Sequence, residues 1–527
     1  MAAGSQQVSA SFYIMDTRSY SVKTGYLIVI AAAIKLLVAP LLELGIDEVY
    51  YWTYALRPDW SQFDHPPMVG FLIRLTTLNL WWANEFTFRL GSVLTAAGST
   101  WILFKLGKLI ASERAGWFAA LLYTASVYTG FIAGFFILPD TPQMLFWTAS
   151  LYLMAYLLTK RNKEKVLSVW ILLGLMIGLA TLSKVHGLFL WAGFGLFLLL
   201  KRTSWLLNWR LYTGGFVTLL CILPIVYWNW ENDFITYKFH SERVTHTGLQ
   251  WESLVREIGG EFAYQNPVVY VLLLLSVFAL LTNKIRFNQR RTGIWLFCMS
   301  IPMILVFWGV SLFNPTLPHW SGPAFIPLFL IGALYLEKMT TTVFPEWIKI
   351  SLTLVGVVLV AAVALVHYSP VNFGSQEKEN YGEYCPTLDL SGWSDLGKAF
   401  TEIVRKDQAN NTMQPGASLL VNKYFPGGHI AFYVSRPSGL PVIGVGSLQD
   451  LHIFAWLNKD RPPLKLGADA YCIVPSNFPL NVSDTYGTFF TTILPPVELK
   501  QVRNGGVVRY FYIYRLKNCR KVPAPVL

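Results

Sequence analysis

The residues best suited to chemistry stand in short polar stretches between long apolar ones. DEVYYW at 47–52 offers adjacent carboxylates, Asp47 and Glu48, directly after an apolar run. FDHPP at 63–67 brings His65, and Arg89 opens the next apolar run in FTFRLGSVL. PDTP at 139–142 holds Asp140 between prolines, SKVHG at 183–187 carries Lys184 and His186, and FNPTLPHWSGPAF at 313–325 carries His319 and Trp320. A carboxylate can take a proton from an acceptor while cations stabilise a departing phosphate, and this set contains both kinds of group. Each residue alone has a plainer reading. Glu48 could cap a helix, Asp140 could form a turn, Lys184 could reach lipid phosphates, and Trp320 could anchor in the headgroup layer.

What raises the functional reading is where these stretches must lie. The chain has 527 residues, of which 54% are hydrophobic, 15% aromatic and only 14% charged, so its solvent is largely lipid. Its net charge of +12 does not point to nucleic acid, because the Lys and Arg residues sit in short runs between apolar stretches, where they set membrane orientation. Apolar segments run at about 25–44, 90–107, 115–138, 143–159, 166–182, 187–200, 211–228, 268–282, 293–313, 324–337 and 350–368. They predict a polytopic α-helical membrane protein of about 11 transmembrane helices.

The first segment follows Arg18 and Lys23 without a small-residue cleavage site, and reads as a retained span with a cytoplasmic N-terminus. Alternate connections then carry the basic residues, including Lys105, Lys108 and Arg114, then Lys160, Arg161, Lys163 and Lys165, and later Lys284, Arg286, Arg290 and Arg291. These fall inside, and the loops bearing Asp47, Glu48, His65, Asp140, Lys184, His186, His319 and Trp320 fall outside together. Residues 66–83 are apolar, but Arg74 at their middle argues for an interfacial helix with Trp81 and Trp82 at headgroup level. The long outer connection 228–267, with Lys238, His240, Glu242, Arg243, His246 and Arg256, would suit a mobile loop covering a substrate.

Residues 1–368 thus form the membrane part, and 369–527 an outer, soluble α/β domain with strands expected near 417–422, 441–445, 469–474 and 507–515. Helices are expected there near 393–407, 428–434 and 447–458. Of five cysteines, Cys221 and Cys298 fall in spans, and a Cys385–Cys519 bridge is the pairing favoured among Cys385, Cys472 and Cys519.

The DE pair after the first span, the HPP that follows, Arg-Leu opening the second span and PD in the next outer loop together resemble the lipid-phosphosugar-dependent glycosyltransferases of the GT-C superfamily. The nearest likeness is to protein O-mannosyltransferases and to the aminoarabinose transferases that modify lipid A, and it extends over about the first 330 residues, including LSKVHG and LPHWSGPAF. The resemblance implies a polyprenyl-phosphate sugar donor on the outer leaflet and inverting transfer to a hydroxyl on a protein, on lipid A or on another glycan. It places Asp47 at the catalytic acidic position with Glu48 beside it, and it makes Arg89 a candidate phosphate ligand; the residues themselves add Lys184, and His65 or His186, as further groups for the leaving phosphate, and Asp140 as a further candidate acid. Family members often carry Lys where His65 stands. No nucleotide-binding loop is present, and no ligand spacing calls for a metal, though Asp and His residues could make a divalent site. A transporter or lipid flippase would also use intramembrane charges, but the polar residues gather on one face and do not line the mid-membrane.

Overall fold

The computed structural model describes residues 19–160, 162–242 and 248–527. Arg18, Arg161, Arg243 and His246, used above to orient the chain or to characterise the fourth outer loop, lie outside the described residues. All eleven apolar segments are helical, from Tyr20–Val38 to Glu346–Tyr368. Among the described residues, six helices are long and apolar enough to cross a membrane: Tyr20–Leu41, Glu85–Ile110, Trp209–Glu231, Arg290–Ser311, Gly322–Met339 and Glu346–Tyr368. Trp251–Tyr264 and Pro267–Leu281, bent by 101° at their junction, would make a seventh if they form one broken span. The segment expected at 115–138 is interrupted: its helix ends at Ala125 and a separate turn follows at Tyr128–Ile132. The connection 228–267, read above as outer, contains helices Ile235–Glu242 and Trp251–Tyr264 among its described residues.

Two compact units emerge. The first comprises the described residues up to Ala39 together with His65–Val357. Its core is an apolar cluster in which Trp117, Trp147, Trp170 and Trp295 are fully buried. Where lipid surrounds helices, close backbone approach replaces hydrophobic driving force. Gly174 shows this: a Cβ there would sit 2.1 Å from the Gly214 carbonyl oxygen, so helices Leu167–Ser183 and Trp209–Glu231 pack backbone against backbone. Helix Met68–Thr76 is shorter than the interfacial helix expected at 66–83, because Leu78, Asn79 and Leu80 adopt positive φ and turn the chain. Trp81 and Trp82 beyond it are exposed, as headgroup anchors would be.

The second unit comprises Pro40–Asp64 and Val358–Leu527, so residues 40–64, read above with the membrane part, pack with the C-terminal region. It is built on a five-stranded mixed sheet of order β2-β1-β3-β5-β4, where β1 is Ser418–Val421, β2 Val442–Gly444, β3 Ala470–Pro475, β4 Phe490–Arg503 and β5 Gly506–Cys519. β1 pairs in parallel with β2 and β3, and β5 runs antiparallel to β3 and β4. Four strands fall where expected, and helix Trp393–Ala409 does too. β4 is the addition. Pro495 and Pro496 argue against a strand, but β4 is an edge and its register shifts between Leu494 and Val497, so the prolines occupy the irregularity. Asn504 and Gly505, both at positive φ, close the hairpin. All five cysteines are free, which corrects the expected Cys385–Cys519 bridge: Cys385 packs with Leu388 and Val508, and Cys519 with the separate cluster around Leu420 and Tyr486.

Candidate functional site

In the first unit a buried ion pair stands at the centre. Asp140 begins helix Asp140–Thr159, where a carboxylate suits the positive end of the helix dipole, and Pro142 fits the same first turn because its missing N–H needs no partner there. Lys184 is the extended residue at which helix Leu167–Ser183 stops. Its ammonium donates to Asp140 Oδ1 and Oδ2 at 3.1 and 2.9 Å, and both side chains are only 3% exposed. Tyr128 donates its hydroxyl to the same Oδ1 at 2.8 Å. Tyr128 is pinned in turn by Gly322, where a Cβ would come within 2.3 Å of its ring.

Histidines and aromatic rings surround the pair. His186 lies edge-on to Phe307 and Trp320, with centroids 5.0 and 6.3 Å away, and burial, then the Lys184 ammonium, hold its imidazole well below the usual histidine range. His319 stacks on Tyr264, and its pKa is pushed down to about 4 by burial and then by Lys184, which keeps it neutral at pH 7. The rings of His65 and His240 are 6.2 Å apart. Five connections predicted to share one membrane face therefore contribute to one cluster, through His65, Asp140, Lys184 with His186, His240, and His319 with Trp320.

The loop bearing His319 is held by helix Trp251–Tyr264. Glu257 Oε2 accepts from the Thr316 hydroxyl at 2.7 Å, and Glu261 accepts from the Ser321 hydroxyl at 2.6 Å and from the Trp308 indole at 3.0 Å. These two glutamates were passed over in the sequence, although an i, i+4 pair on a helix shares a face.

Arg89 is wholly buried. Its Nη1 donates to the Ala39 carbonyl at 2.6 Å, just past the first apolar helix, and its guanidinium lies over the rings of Phe135 and Phe136 at 5.0 and 5.7 Å. One turn on, Ser92 donates to the Phe136 carbonyl at 2.9 Å, and Thr141 donates to that same carbonyl at 3.0 Å. Arg89's helix is thereby tied to the turn that presents Asp140.

Asp47 and Glu48 belong to the second unit, in the first turn of helix Ile46–Leu56. Glu48 is buried and its Oε2 accepts the Gly45 N–H at 2.9 Å, so it caps its own helix. On the face of Asp47, at the i, i+3, i+7 spacing, stand Tyr50 and Tyr54. Both donate to Asp64 Oδ1, Tyr50 at 2.6 Å, and His452 Nδ1 lies 3.1 Å from the Tyr50 hydroxyl. Sequence reading quoted the FDHPP stretch for His65 and missed Asp64 beside it; the helical spacing of Asp47, Tyr50 and Tyr54 was the available signal. Among the described residues, no group of three or more His, Cys, Asp or Glu side chains is placed to hold a metal ion.

Residues 64–228 match the dolichyl-phosphate-mannose-protein mannosyltransferase family. That stretch contains His65, Arg89, Asp140, Lys184 and His186. The chain is 24% identical over 323 residues to the lipid A galacturonosyltransferase RgtD of Rhizobium johnstonii, covering 60% of this chain and 64% of that protein. It is 25% identical over 351 residues to the undecaprenyl phosphate-alpha-4-amino-4-deoxy-L-arabinose arabinosyl transferase of Pseudomonas aeruginosa, covering 63% and 61%. The chain thus spans somewhat under two thirds of the length of these curated relatives. Among solved structures, ArnT from Cupriavidus metallidurans bound to undecaprenyl phosphate matches with a TM-score of 0.59 at 15% identity, over 93% of this chain and 98% of that one. In its fold over nearly the whole length, and in its sequence over the region of the charged cluster, the chain resembles the lipid-phosphosugar-dependent glycosyltransferases of the GT-C superfamily.

Proposed function

We propose that the protein is an inverting glycosyltransferase that moves a hexose or pentose from a polyprenyl-phosphate donor to a hydroxyl acceptor at the outer face of a bacterial inner membrane. The observation that carries this reading is the convergence of five connections, read from the sequence as outer, around the Asp140–Lys184 pair, which gathers carboxylate, imidazole and ammonium groups around one buried point. In this reading all eleven apolar helices are spans, the N-terminus is cytoplasmic, and the sheet-bearing C-terminal region is a soluble outer domain that selects the acceptor.

The acceptor hydroxyl gives its proton to Asp47 as its oxygen attacks the anomeric carbon on the side opposite the phosphate. The bond from that carbon to the phosphate oxygen breaks, and polyprenyl phosphate leaves with one more negative charge. Arg89 and Lys184, with His65 or His186 when protonated, are the groups proposed to meet that charge through hydrogen bonds that strengthen as the bond breaks. Asp140 fits as the group that holds the Lys184 ammonium in place, and it is the acid to examine next should Asp47 prove dispensable. His319 and Trp320 would line the sugar.

The test is direct. The purified protein in lipid nanodiscs is given undecaprenyl-phosphate conjugates of mannose, galacturonic acid and 4-amino-4-deoxy-L-arabinose, with lipid A or whole membranes as acceptor. Release of undecaprenyl phosphate with a matching mass increment on lipid or protein is expected for one donor. Turnover of none, by protein that binds undecaprenyl phosphate, would favour a carrier without bond chemistry.

A further inference from the structure

The backbone that delivers Asp47 is gripped by residues more than 340 positions away in the chain at Glu43, Leu44 and Ile46. Glu43 N–H donates to the Leu390 carbonyl at 3.1 Å, and Leu44 N–H donates to the Tyr433 hydroxyl at 2.7 Å. The Leu44 carbonyl accepts from His429 Nε2 at 3.0 Å. Ile46 N–H, in the first turn of the helix, donates to both carboxylate oxygens of Asp389, at 3.0 and 3.2 Å. In return, the Glu43 carboxylate accepts from the N–H groups of Trp393 and Ser394 at 2.8 and 2.9 Å, capping helix Trp393–Ala409.

Asp389 is itself built in. Its carbonyl accepts from the Trp393 indole at 3.0 Å, and His429 Nε2 stands 3.6 Å from its Oδ1. The Trp393 ring is sandwiched between the His429 imidazole, stacked at 4.2 Å, and the Arg509 guanidinium at 4.4 Å. Arg509, from β5, donates to the carbonyls of Leu388 and Ser391 at 3.1 and 2.6 Å, which fixes the loop on both sides of Asp389. A close approach completes the frame: a Cβ on Gly428 would meet Val49 at 3.0 Å, so helix Tyr424–His429 lies directly on helix Ile46–Leu56.

Resting on the reading that Asp47 is the base, we propose that Asp389 is a positioning residue for the transfer: it clamps the first turn of helix Ile46–Leu56 and sets both the place and the electrostatic surroundings of Asp47. The C-terminal region then does more than select an acceptor. It holds the base.

The clamp has a titration of its own. Asp389 is pushed up to about 7, first by burial and then by the charges of Asp47 and Glu48, against the pull of the Ile46 N–H and of Arg509. The other groups facing it are His429, whose imidazole burial holds down at about 3, and Arg509, which burial lowers only to about 9 while Glu43 draws it back up. Around pH 7, His429 is therefore neutral and Arg509 charged, and Asp389 is the one of these three that changes. Its ionisation adds a negative charge beside Asp47, which favours proton uptake by Asp47, and strengthens the bond to Ile46 N–H. Turnover should rise through pH 7.

The experiment measures kcat and donor KM from about pH 5.5 to 8.5 for the full-length protein and for Asp389→Asn, Asp389→Glu and Asp47→Asn, using the donor that supports turnover. Asp389→Asn should lower kcat roughly 10- to 100-fold, as a displaced reacting group does, with donor KM within about twofold, and should abolish the rise through pH 7. Asp389→Glu should keep the rise at a shifted pH, and serves alone if the Asn variant does not fold. A wild-type rise through pH 7 that persists in Asp389→Asn, or is unmoved in Asp389→Glu, would overturn the clamp. Full activity in Asp47→Asn would instead overturn the assignment of the base beneath it.

Discussion

The Asp140–Lys184 pair can be tested by removing one partner at a time. Both side chains are 3% exposed, and each oxygen of the carboxylate takes a bond from the ammonium. Lys184→Met would leave a buried carboxylate that still accepts from the Tyr128 hydroxyl, and Asp140→Asn would leave a buried ammonium facing a neutral amide. Removing one member of a buried pair typically costs about 3–5 kcal/mol, because an uncompensated charge stays in a low dielectric. Replacing both leaves no charge behind, so Lys184→Met with Asp140→Asn should recover most of that loss. The assay is a double-mutant cycle on unfolding by sodium dodecyl sulfate, followed by tryptophan fluorescence, with coupling of about 2 kcal/mol or more expected. Activity separates packing from chemistry. If Lys184 holds the donor phosphate, the double variant should regain stability while undecaprenyl phosphate binding stays weak. Single variants that each cost under about 1 kcal/mol, with no coupling, would refute the reasoning that this pair is buried and mutually dependent.

Asp47→Asn should lower turnover by about 10²–10⁴-fold, the range of positioned proton transfer, while undecaprenyl phosphate binding measured by native mass spectrometry is kept; near-normal turnover in folded protein would remove Asp47 as the base. Gly322→Ala should push the Tyr128 ring off Asp140 and lower thermal stability by about 1–3 kcal/mol, and a wild-type melting profile would mean that the ring can yield. For orientation, a cysteine placed at Asn232 should react with an impermeant thiol reagent added outside, and one at Asn162 should not; the reverse labelling would overturn the topology.

Much of this fold was legible because hydrophobic length and charge asymmetry are strong, local signals. The apolar segments are built of helices, with 115–138 broken after Ala125, and the strands at 418–421, 442–444 and 470–475 match the expected windows to within a residue. The misses have particular causes. Pro495 and Pro496 concealed β4, since prolines are tolerated at an edge irregularity that pattern reading cannot foresee. The helix predicted to continue past Ala125 breaks there, and its broken end frees Tyr128 to reach Asp140, a contact with no local sequence signature. The site was readable only as far as topology could gather loops. Positive-inside counting brought His65, Asp140, Lys184, His186 and His319 to one face, but it could not say that Lys184 and Asp140 would bond each other.

That last point bears on how the cations and acids divide their work. A lysine already matched by a buried carboxylate offers a fixed ammonium of nearly neutral net local charge, which is a poor magnet for an anion at long range but a well-aimed donor at short range. Arg89, held on the Ala39 carbonyl and two phenylalanine rings, is fixed in the same way. Fixed donors gain over mobile ones when charge develops during the reaction, because nothing must reorganise as the phosphate oxygen takes up its charge. The same logic applies to Asp47, whose helix is held by Asp389, His429 and Tyr433 and not by its own neighbours alone. Arg89→Lys then distinguishes fixed from mobile charge. Lysine keeps the positive charge but loses the planar fork that the carbonyl and the rings hold, so undecaprenyl phosphate binding should weaken modestly while kcat falls by a larger factor. Equal losses in binding and kcat would mean that charge alone mattered, and that rigidity at this position does no catalytic work.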